Sequence, residues 1–357
     1  MDKLKLYILS VMKGERKTPD ACVVVIILSL FSLLYAIVLK CISFLYRVGI
    51  LPCRKVSAKV ISVGNITLGG TGKTPFTIML AESAKAMGRN VAVLIRGYGE
   101  DESHLLKTRL GGIPVIVGAD RYKSAKRAIS KFGSDCIILD DGFQHRRLKR
   151  DLNIVLIDAT SPFGNMKLFP AGILREELSR LKEADIAVLT KADMGAGNKP
   201  AIYVELKKIK DDIAAVESFY KPAGLKRVSG EIVPPDYIKG RRVALLAAIA
   251  NPGYFEWMIK NLGADIVESF YYADHHLYSK KDADSVIEKC AREGIDTVIT
   301  TEKDVMRSKN NGTDGLSGLI RASGGGKKVD LLSLLIETTV TRNKEEIVAR
   351  LRSLFNS

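Results

Sequence analysis

Apolar and polar positions along the chain fall into distinct regimes. Residues 21–39 are nineteen positions without a charge, rich in Val, Ile and Leu. As a helix this stretch would be about 28 Å long, close to the hydrocarbon thickness of a bilayer. The apolar character continues more weakly through 42–51, interrupted by Lys40 and Arg47. Short apolar runs then alternate with helical patterns. Strands are predicted at 59–63, 90–95, 114–117, 136–139, 154–157 and 186–189, and helices at 76–87, Arg121–Phe132 and 176–181. A looser region from 194 to 240 carries several Gly and Pro, with 204–218 as a strand-like segment or an extension. The alternation resumes with strands at 243–249, 265–272, 297–300 and 329–336, and helices from Tyr254, over Lys280–Glu293 and over 344–355. The Gly- and Ser-rich stretch 308–328 reads as a loose loop. Such a pattern predicts an α/β fold, a mainly parallel sheet with helices on both faces.

One junction carries chemistry. The apolar residues Val60, Ile61 and Val63 feed the turn Gly64-Asn65-Ile66-Thr67-Leu68-Gly69-Gly70-Thr71-Gly72-Lys73-Thr74-Pro75, and a helical pattern follows. Strand, glycine turn and helix in that order form a P-loop, the phosphate loop of a nucleoside-triphosphate site. Glycines let backbone N–H groups close around phosphate oxygens, and the new helix points its positive end at them. Lys73 adds a mobile charge, and the Thr74 hydroxyl is placed to hold Mg²⁺. The cradle is therefore Thr67, Gly69, Gly70, Thr71, Gly72, Lys73 and Thr74. The common pattern has glycine five residues before Gly72, where this chain has Thr67. The domain division that follows is an N-terminal membrane-anchoring segment over 1–56, a P-loop core over 57–235, and a smaller C-terminal α/β unit over 236–357.

Composition narrows the partners. Hydrophobic residues make up 46% of the chain and charged residues 27%, as in a folded protein with a core. The net charge of +15 suits an anionic partner: nucleic acid, an acidic membrane surface or a phosphorylated substrate. The five cysteines form no C-x-x-C pair, which excludes a disulfide framework and a thiolate zinc site and fits a reducing compartment. Within residues 1–60, ten bases stand against three acids, on both sides of the apolar stretch, so charge alone sets no orientation. A soluble helix hairpin is the alternative to a membrane anchor, spanning or interfacial. The anchor reading places a nucleotide domain on the cytoplasmic side, where ATP is.

Further motifs follow the loop. Cys136-Ile137-Ile138-Leu139-Asp140-Asp141 reads as a buried strand whose carboxylates emerge beside the phosphate loop, as a second magnesium group. Gly142-Phe143-Gln144-His145-Arg146-Arg147 extends that edge with polar and basic residues suited to substrate contact. Asp274-His275-His276 places a carboxylate beside a histidine, a common catalytic device, although taken alone the segment reads more simply as two surface histidines in a loop. Thr301-Glu302-Lys303-Asp304 follows a buried strand and reads equally as a charged turn.

With these motifs in order, the chain resembles the lipid A 4'-kinase (tetraacyldisaccharide 4'-kinase) family, membrane-bound enzymes of lipopolysaccharide synthesis in Gram-negative bacteria. The matching segments are 63–75; Arg96-Gly97-Tyr98-Gly99; Asp140-Asp141-Gly142-Phe143-Gln144-His145; Phe169-Pro170-Ala171-Gly172 with Leu174-Arg175-Glu176; Ala273-Asp274-His275; and Thr301-Glu302-Lys303-Asp304. The family's phosphate loop also carries Thr at the place of Thr67. The resemblance implies transfer of the ATP γ-phosphate to the 4'-hydroxyl of an acylated glucosamine disaccharide 1-phosphate, at the inner membrane with the catalytic domain facing the cytoplasm. It implies ATP and Mg²⁺ as cofactors, membrane lipids as neighbours, no nucleic acid and no obligatory protein partner.

Residue roles carry over from the same resemblance. The family's base is an aspartate in a Gly-Asp-Glu-Pro motif, paired with the histidine of Asp-His. Here the motif departs to Gly99-Glu100-Asp101-Glu102-Ser103. Asp101 is the expected base and His275 its partner, with Glu100 and Glu102 as alternatives. Lys73 and Arg175 are expected to act on the transferring phosphoryl group. Thr74, Asp140, Asp141 and Glu176 are the magnesium candidates, and Arg96, Gln144 and His145 face the substrate. Asp101 and His275 are expected in different units that close to bring them together. Two other readings compete. Thr190-Lys191-Ala192-Asp193 resembles a guanine-holding motif and would suit a membrane-attached GTPase switch. A nucleic-acid-binding ATPase would use the positive charge but leaves the apolar N-terminus without a role.

Overall fold

Backbone preferences in this chain are mostly local, and the computed structural model follows them closely. It describes residues 3–16, 18–97, 100–307, 315–323 and 329–356. In chain order the elements are α1 (Lys3–Lys13), α2 (Pro19–Arg47), β1 (Lys59–Asn65), α3 (Lys73–Ala86), β2 (Val91–Ile95), α4 (Glu100–Arg109), β3 (Val115–Val117), α5 (Arg121–Phe132), β4 (Cys136–Asp140), β5 (Leu152–Asp158), β6 (Ile186–Thr190), α6 (Lys199–Ile209), β7 (Ala214–Arg227) and β8 (Ile232–Val233). They continue as β9 (Arg242–Ala247), α7 (Pro252–Asn261), β10 (Asp265–Tyr271), α8 (Lys280–Glu293), β11 (Thr297–Thr301), α9 (Glu302–Arg307), α10 (Gly315–Ser323), β12 (Asp330–Arg342) and α11 (Lys344–Asn356).

Two compact units form, and neither is contiguous. The first comprises 1–97, 110–219 and 339–357, and the second 98–109 and 220–338. In the first, the strands run in the order β7-β6-β5-β1-β4-β2-β3, and every pairing is parallel. Parallel strands covered on both faces read as continuous apolar runs, and β2, β4 and β6 are buried along their whole length. One face packs Ala92, Leu94, Ile137 and Leu139 with Ala125 and Ala128 of α5. The other packs Val155, Ile157, Ala187 and Leu189 with Ile202 and Leu206 of α6.

The helix α2 starts after Thr18 with Pro19 and Asp20 in its first turn and ends with Arg47 in its last, a placement that matches proline's fixed φ and the helix dipole. It exceeds the apolar core of 21–39 because 40–47 continue the turn. It is long and apolar enough to cross a membrane, and it exposes Ile26, Leu30, Phe31, Leu34 and Val38. One edge is docked. Ser32 Oγ accepts from the Ala171 amide at 3.0 Å and donates to the Leu168 carbonyl at 2.8 Å, and the Tyr35 hydroxyl donates to the Arg175 carbonyl at 2.9 Å.

In the second unit the parallel order is β10-β9-β11-β12. Tyr254, Phe255, Met258 and Ile259 of α7 cover one face. Ala283, Val286, Ile287 and Cys290 of α8, with Leu316 and Ile320 of α10, cover the other. Ser279 caps α8 in a capping box with Asp282, which explains why its bounds match the sequence expectation.

Several expectations change. The helix expected at 176–181 is a 3-10 turn over Leu178–Glu183. The looser region holds α6, whose buried stripe is only Ile202 and Leu206, and the strand β7 across Lys221-Pro222-Ala223-Gly224. The expected loop at 308–328 contains α10; 308–314 and 324–328 lie outside the described residues. The helix α4 was not expected, because its sequence is almost wholly polar. It is fixed by tertiary ion pairs to α9, such as Arg109 Nη1 to Glu302 Oε2 at 2.9 Å. Since α4 belongs to the second unit, Asp101 and His275 share one unit and need no closure to meet.

Candidate active site

The phosphate loop is shaped by its neighbours. A Cβ on Gly64 would stand 2.5 Å from the Phe143 Cβ and 2.7 Å from the Phe143 nitrogen, so the β1 end and the turn after β4 approach as only glycine allows. Beyond β1 the chain pairs with 173–175: the Leu68 amide donates to Ile173 O at 2.7 Å and the Arg175 amide to Ile66 O at 2.7 Å. Thr67 sits inside this pairing, bridged to Leu174, and its φ is not positive. A glycine is therefore not needed there. At Gly72 it is, because φ is +87°. Gly72 caps α3 with no side-chain bond to the first-turn amides, which leaves those N–H groups for an anion.

The register of β1 against β4, Val63 opposite Asp140, sets the carboxylates beside the loop. Thr77 Oγ1 donates to Asp140 Oδ1 at 3.1 Å, and Thr74 Oγ1 lies 3.5 Å from Oδ2. The Arg121 guanidinium donates to the Asp140 carbonyl at 3.1 Å; burial lowers its pKa to about 10. Asp141 adopts a φ of +52° and takes Arg175 in a fork, Nη1 to Oδ1 at 3.0 Å and Nη2 to Oδ2 at 3.3 Å. Lys73 Nζ stands 3.7 Å from the same Oδ1. Burial pushes the Asp141 carboxyl up, but Lys73 and Arg175 outweigh it and hold the pKa below the usual range. Asn65 Oδ1 also accepts from Arg175, at 3.1 Å, and the Asn65 carbonyl accepts from Gln144 Nε2 at 2.7 Å.

The donor set fits Mg²⁺. Thr74 and Asp140 offer hard oxygens, and Mg²⁺ sites use one or two protein oxygens with phosphate and water for the rest. Among the described residues no cluster of three His, Cys, Asp or Glu stands ready for a metal without a nucleotide. Glu176 has other contacts. It is buried, 3.6 Å from Arg146 Nη2 and 3.6 Å from Arg180 Nε, and burial raises its pKa. His145 is held neutral: burial and the nearby arginines lower its pKa to about 4. Arg96 is exposed at the end of β2. Tyr98, Gly99 and the Glu100 side chain lie outside the described residues.

The second unit carries the Asp101 cluster. Asp101 is buried on α4, and Oδ2 accepts from Arg307 Nε at 3.1 Å and Nη2 at 3.0 Å. His275 Nδ1 is 3.3 Å from the same oxygen, and Lys303 Nζ is 4.0 Å away. Lys303 also donates to Glu102 Oε1 at 3.1 Å. Oδ1 is buried with no hydrogen-bond partner among the described residues. Burial pushes the carboxyl up, yet the His275 bond, Lys303 and Arg307 hold it far below the ordinary carboxylate range. The bond to Asp101 raises the His275 pKa against the effect of burial. His275 has a φ of +63°, a conformation seldom adopted by non-glycine residues.

Sequence reasoning passed over Asn65, Thr77, Arg121 and Arg307. Thr77 was findable, since it follows Thr74 by three on one helix face; the others needed tertiary contacts. Lys191 supports the phosphate loop from the end of β6. It is buried, pairs with Asp158, and donates to the Gly70 carbonyl of the phosphate loop at 2.7 Å. Thr190 Oγ1 donates to the Thr71 carbonyl at 3.0 Å.

The family model described as tetraacyldisaccharide-1-P 4'-kinase matches residues 24–320. The tetraacyldisaccharide 4'-kinase of Halothermothrix orenii is 36% identical over 346 residues, covering 85% of this chain and 88% of that protein. That of Desulfatibacillum aliphaticivorans is 37% identical over 308 residues, covering 79% and 83%. Among solved structures, LpxK from Aquifex aeolicus, crystallised in complex with ATP, has a TM-score of 0.66 at 28% identity, over 90% of this chain and 97% of that one.

Proposed function

Because the chain belongs to the tetraacyldisaccharide-1-P 4'-kinase family, we propose that it transfers the ATP γ-phosphate to the 4'-hydroxyl of an acylated glucosamine disaccharide 1-phosphate, at the cytoplasmic face of the inner membrane. The observation that carries this reading is the phosphate loop with an uncapped helix start, Thr74 beside Asp140, and Arg175 forked on Asp141. The domain roles proposed are an anchor over 1–56, a kinase core that begins at 57 and regains 339–357, and a further α/β unit made of 98–109 and 220–338.

Each residue has a chemical task. The amides of the loop and Lys73 bind the β- and γ-phosphates, and Arg175 counters charge on the transferring group. Thr74 and Asp140 would hold Mg²⁺ beside the bound phosphates, where it would supply charge neutralisation. Asp141 orients Lys73 and Arg175. The acceptor oxygen forms a bond to the γ-phosphorus, the bond to the β–γ bridging oxygen breaks, and ADP leaves. The hydroxyl proton is taken by the proposed base Asp101, whose Oδ2 is held by Arg307 and His275.

Membrane embedding of α2 follows from the substrate, whose acyl chains keep it in the bilayer. The GTPase reading loses its support, because the chain belongs to the kinase family. The test is transfer from γ-labelled ATP to tetraacyldisaccharide 1-phosphate in detergent micelles, with GTP as competing donor. A labelled lipid from ATP supports the reading; GTP hydrolysis with no lipid product would sink it.

A further inference from the structure

A second basic site lies apart from the phosphate loop. A cavity of about 370 Å³ opens at the C-terminal end of α2, beside Ser43 and Tyr46. Its charged lining is Arg47, Arg146, Lys149, Arg150, Arg180 and a single acid, Glu183. None of these residues belongs to the cradle of 67–74. The arginine side chains are deeply set: Arg146 and Arg150 are 11% exposed and Arg180 12%.

The cations are under-compensated. Arg150 lies 3.8 Å from Glu183, which also pairs with Arg180. Glu176 meets Arg146 and Arg180 only at 3.6 Å, too long for hydrogen bonds. Arg180 Nε and Nη2 are buried with no hydrogen-bond partner among the described residues. Burial lowers the pKa of both Arg150 and Arg180 against the pull of Glu183, and neighbouring guanidiniums lower it further. Buried donors left unsatisfied are costly. An anion with several acceptor oxygens would complete the cluster.

Position selects the anion. Along α2 just before the cavity, Ile37, Val38, Ile42 and Phe44 are exposed. These apolar residues flank the Ser43/Tyr46/Arg47 face within two turns of the cavity, so acyl chains lying around this end of α2 would bring a headgroup phosphate toward Arg47. We propose that the cavity binds the phosphate of an anionic membrane phospholipid, whose acyl chains run along α2. This rests on the membrane reading of α2 proposed above.

The test uses the full chain. Co-flotation with phosphatidylcholine vesicles checks the anchor alone; failure to float overturns the membrane reading and the lipid site with it. Native mass spectrometry and thermal midpoints in detergent micelles then compare phosphatidylglycerol with phosphatidylcholine. Phosphatidylglycerol is expected to bind preferentially and raise the midpoint. Arg47→Gln with Lys149→Gln, both exposed side chains, should weaken it about tenfold or more, while ATP still shifts the midpoint as a check on folding. Equal binding of the two lipids, or an unchanged affinity in the variant, overturns the proposal. So does inorganic phosphate displacing the lipid in the wild type, which would mark a soluble-anion site. A raised KM for tetraacyldisaccharide 1-phosphate with no phosphatidylglycerol effect would assign the cavity to the substrate and equally overturn it.

Discussion

Replacing Asp101 by Asn separates its two tasks, holding Arg307 and taking a proton. The Arg307 side chain is 5% exposed, and it donates to Asp101 Oδ2 through Nε and Nη2 at 3.1 and 3.0 Å. Its Nη1 donates to the Ala248 carbonyl at 2.9 Å and to Asp304 Oδ1 at 3.1 Å. Breaking a buried ion pair by removing one charge costs about 3–5 kcal/mol. Asn keeps one acceptor oxygen and Asp304 remains in place, so we expect about 3 kcal/mol. The chain's one tryptophan, Trp257, is partly buried against the core of the same unit, so its fluorescence in urea reports this loss. Phosphate transfer should fall about 10²–10⁴-fold, the usual contribution of a positioned base. The double variant Asp101→Asn/Arg307→Gln leaves no buried guanidinium facing the neutral Asn side chain, while the Gln amide can still donate toward Asp304, so stability should recover in part. It should not recover transfer. If transfer returns with stability, or if Asp101→Asn unfolds at the wild-type urea concentration, the assignment of Asp101 is wrong.

Other perturbations test the remaining contacts. Lys191→Met removes the donor to Gly70 and the ion pair with Asp158; ATP affinity measured by calorimetry should fall about tenfold or more, and an unchanged Kd would rule out a positioning role. Thr74→Val should raise the Mg²⁺ concentration for half-maximal transfer while the melting midpoint stays near wild type; an unaltered metal titration would remove Thr74 from the metal site. The four histidines allow NMR titration one by one. His275 should titrate above 6.5 and His145 near 4. The His275 pair stabilises the fold fully below pH 6.5, and that contribution is lost as pH rises through the raised value. Neutral His145 contributes stability above 6.5 that is lost as pH falls toward about 4. A His145 signal titrating near 6.5 would contradict its burial.

Much of this molecule can be read from windows of ten residues or so. Runs such as Ile137-Ile138-Leu139 and Val155-Leu156-Ile157 state buried parallel strands by composition, and Ser279 with Asp282 marks where α8 begins. The phosphate loop is legible for the same reason: its glycines, Lys73 and Thr74 are adjacent in the chain, so backbone and chemistry are specified together. The long apolar helix needs only its own nineteen uncharged residues. What resisted reading depends on partners far away in sequence. The polar helix α4 forms because α9 supplies Lys303 and Arg307, and it carries Asp101 into the unit that holds His275. Arg175 finds Asp141 only because 173–175 pair with the chain after β1. Lys191 reaches Gly70, and Arg47 reaches the cavity shared with Arg146 and Arg180, through strand order and helix docking. Sequence by itself determined the elements and the phosphate cradle, since local sterics and apolar spacing act within each segment. Tertiary structure decided which charges meet, because the energy of a buried ion depends on its neighbours and on lost water, and neither is written near it in the chain.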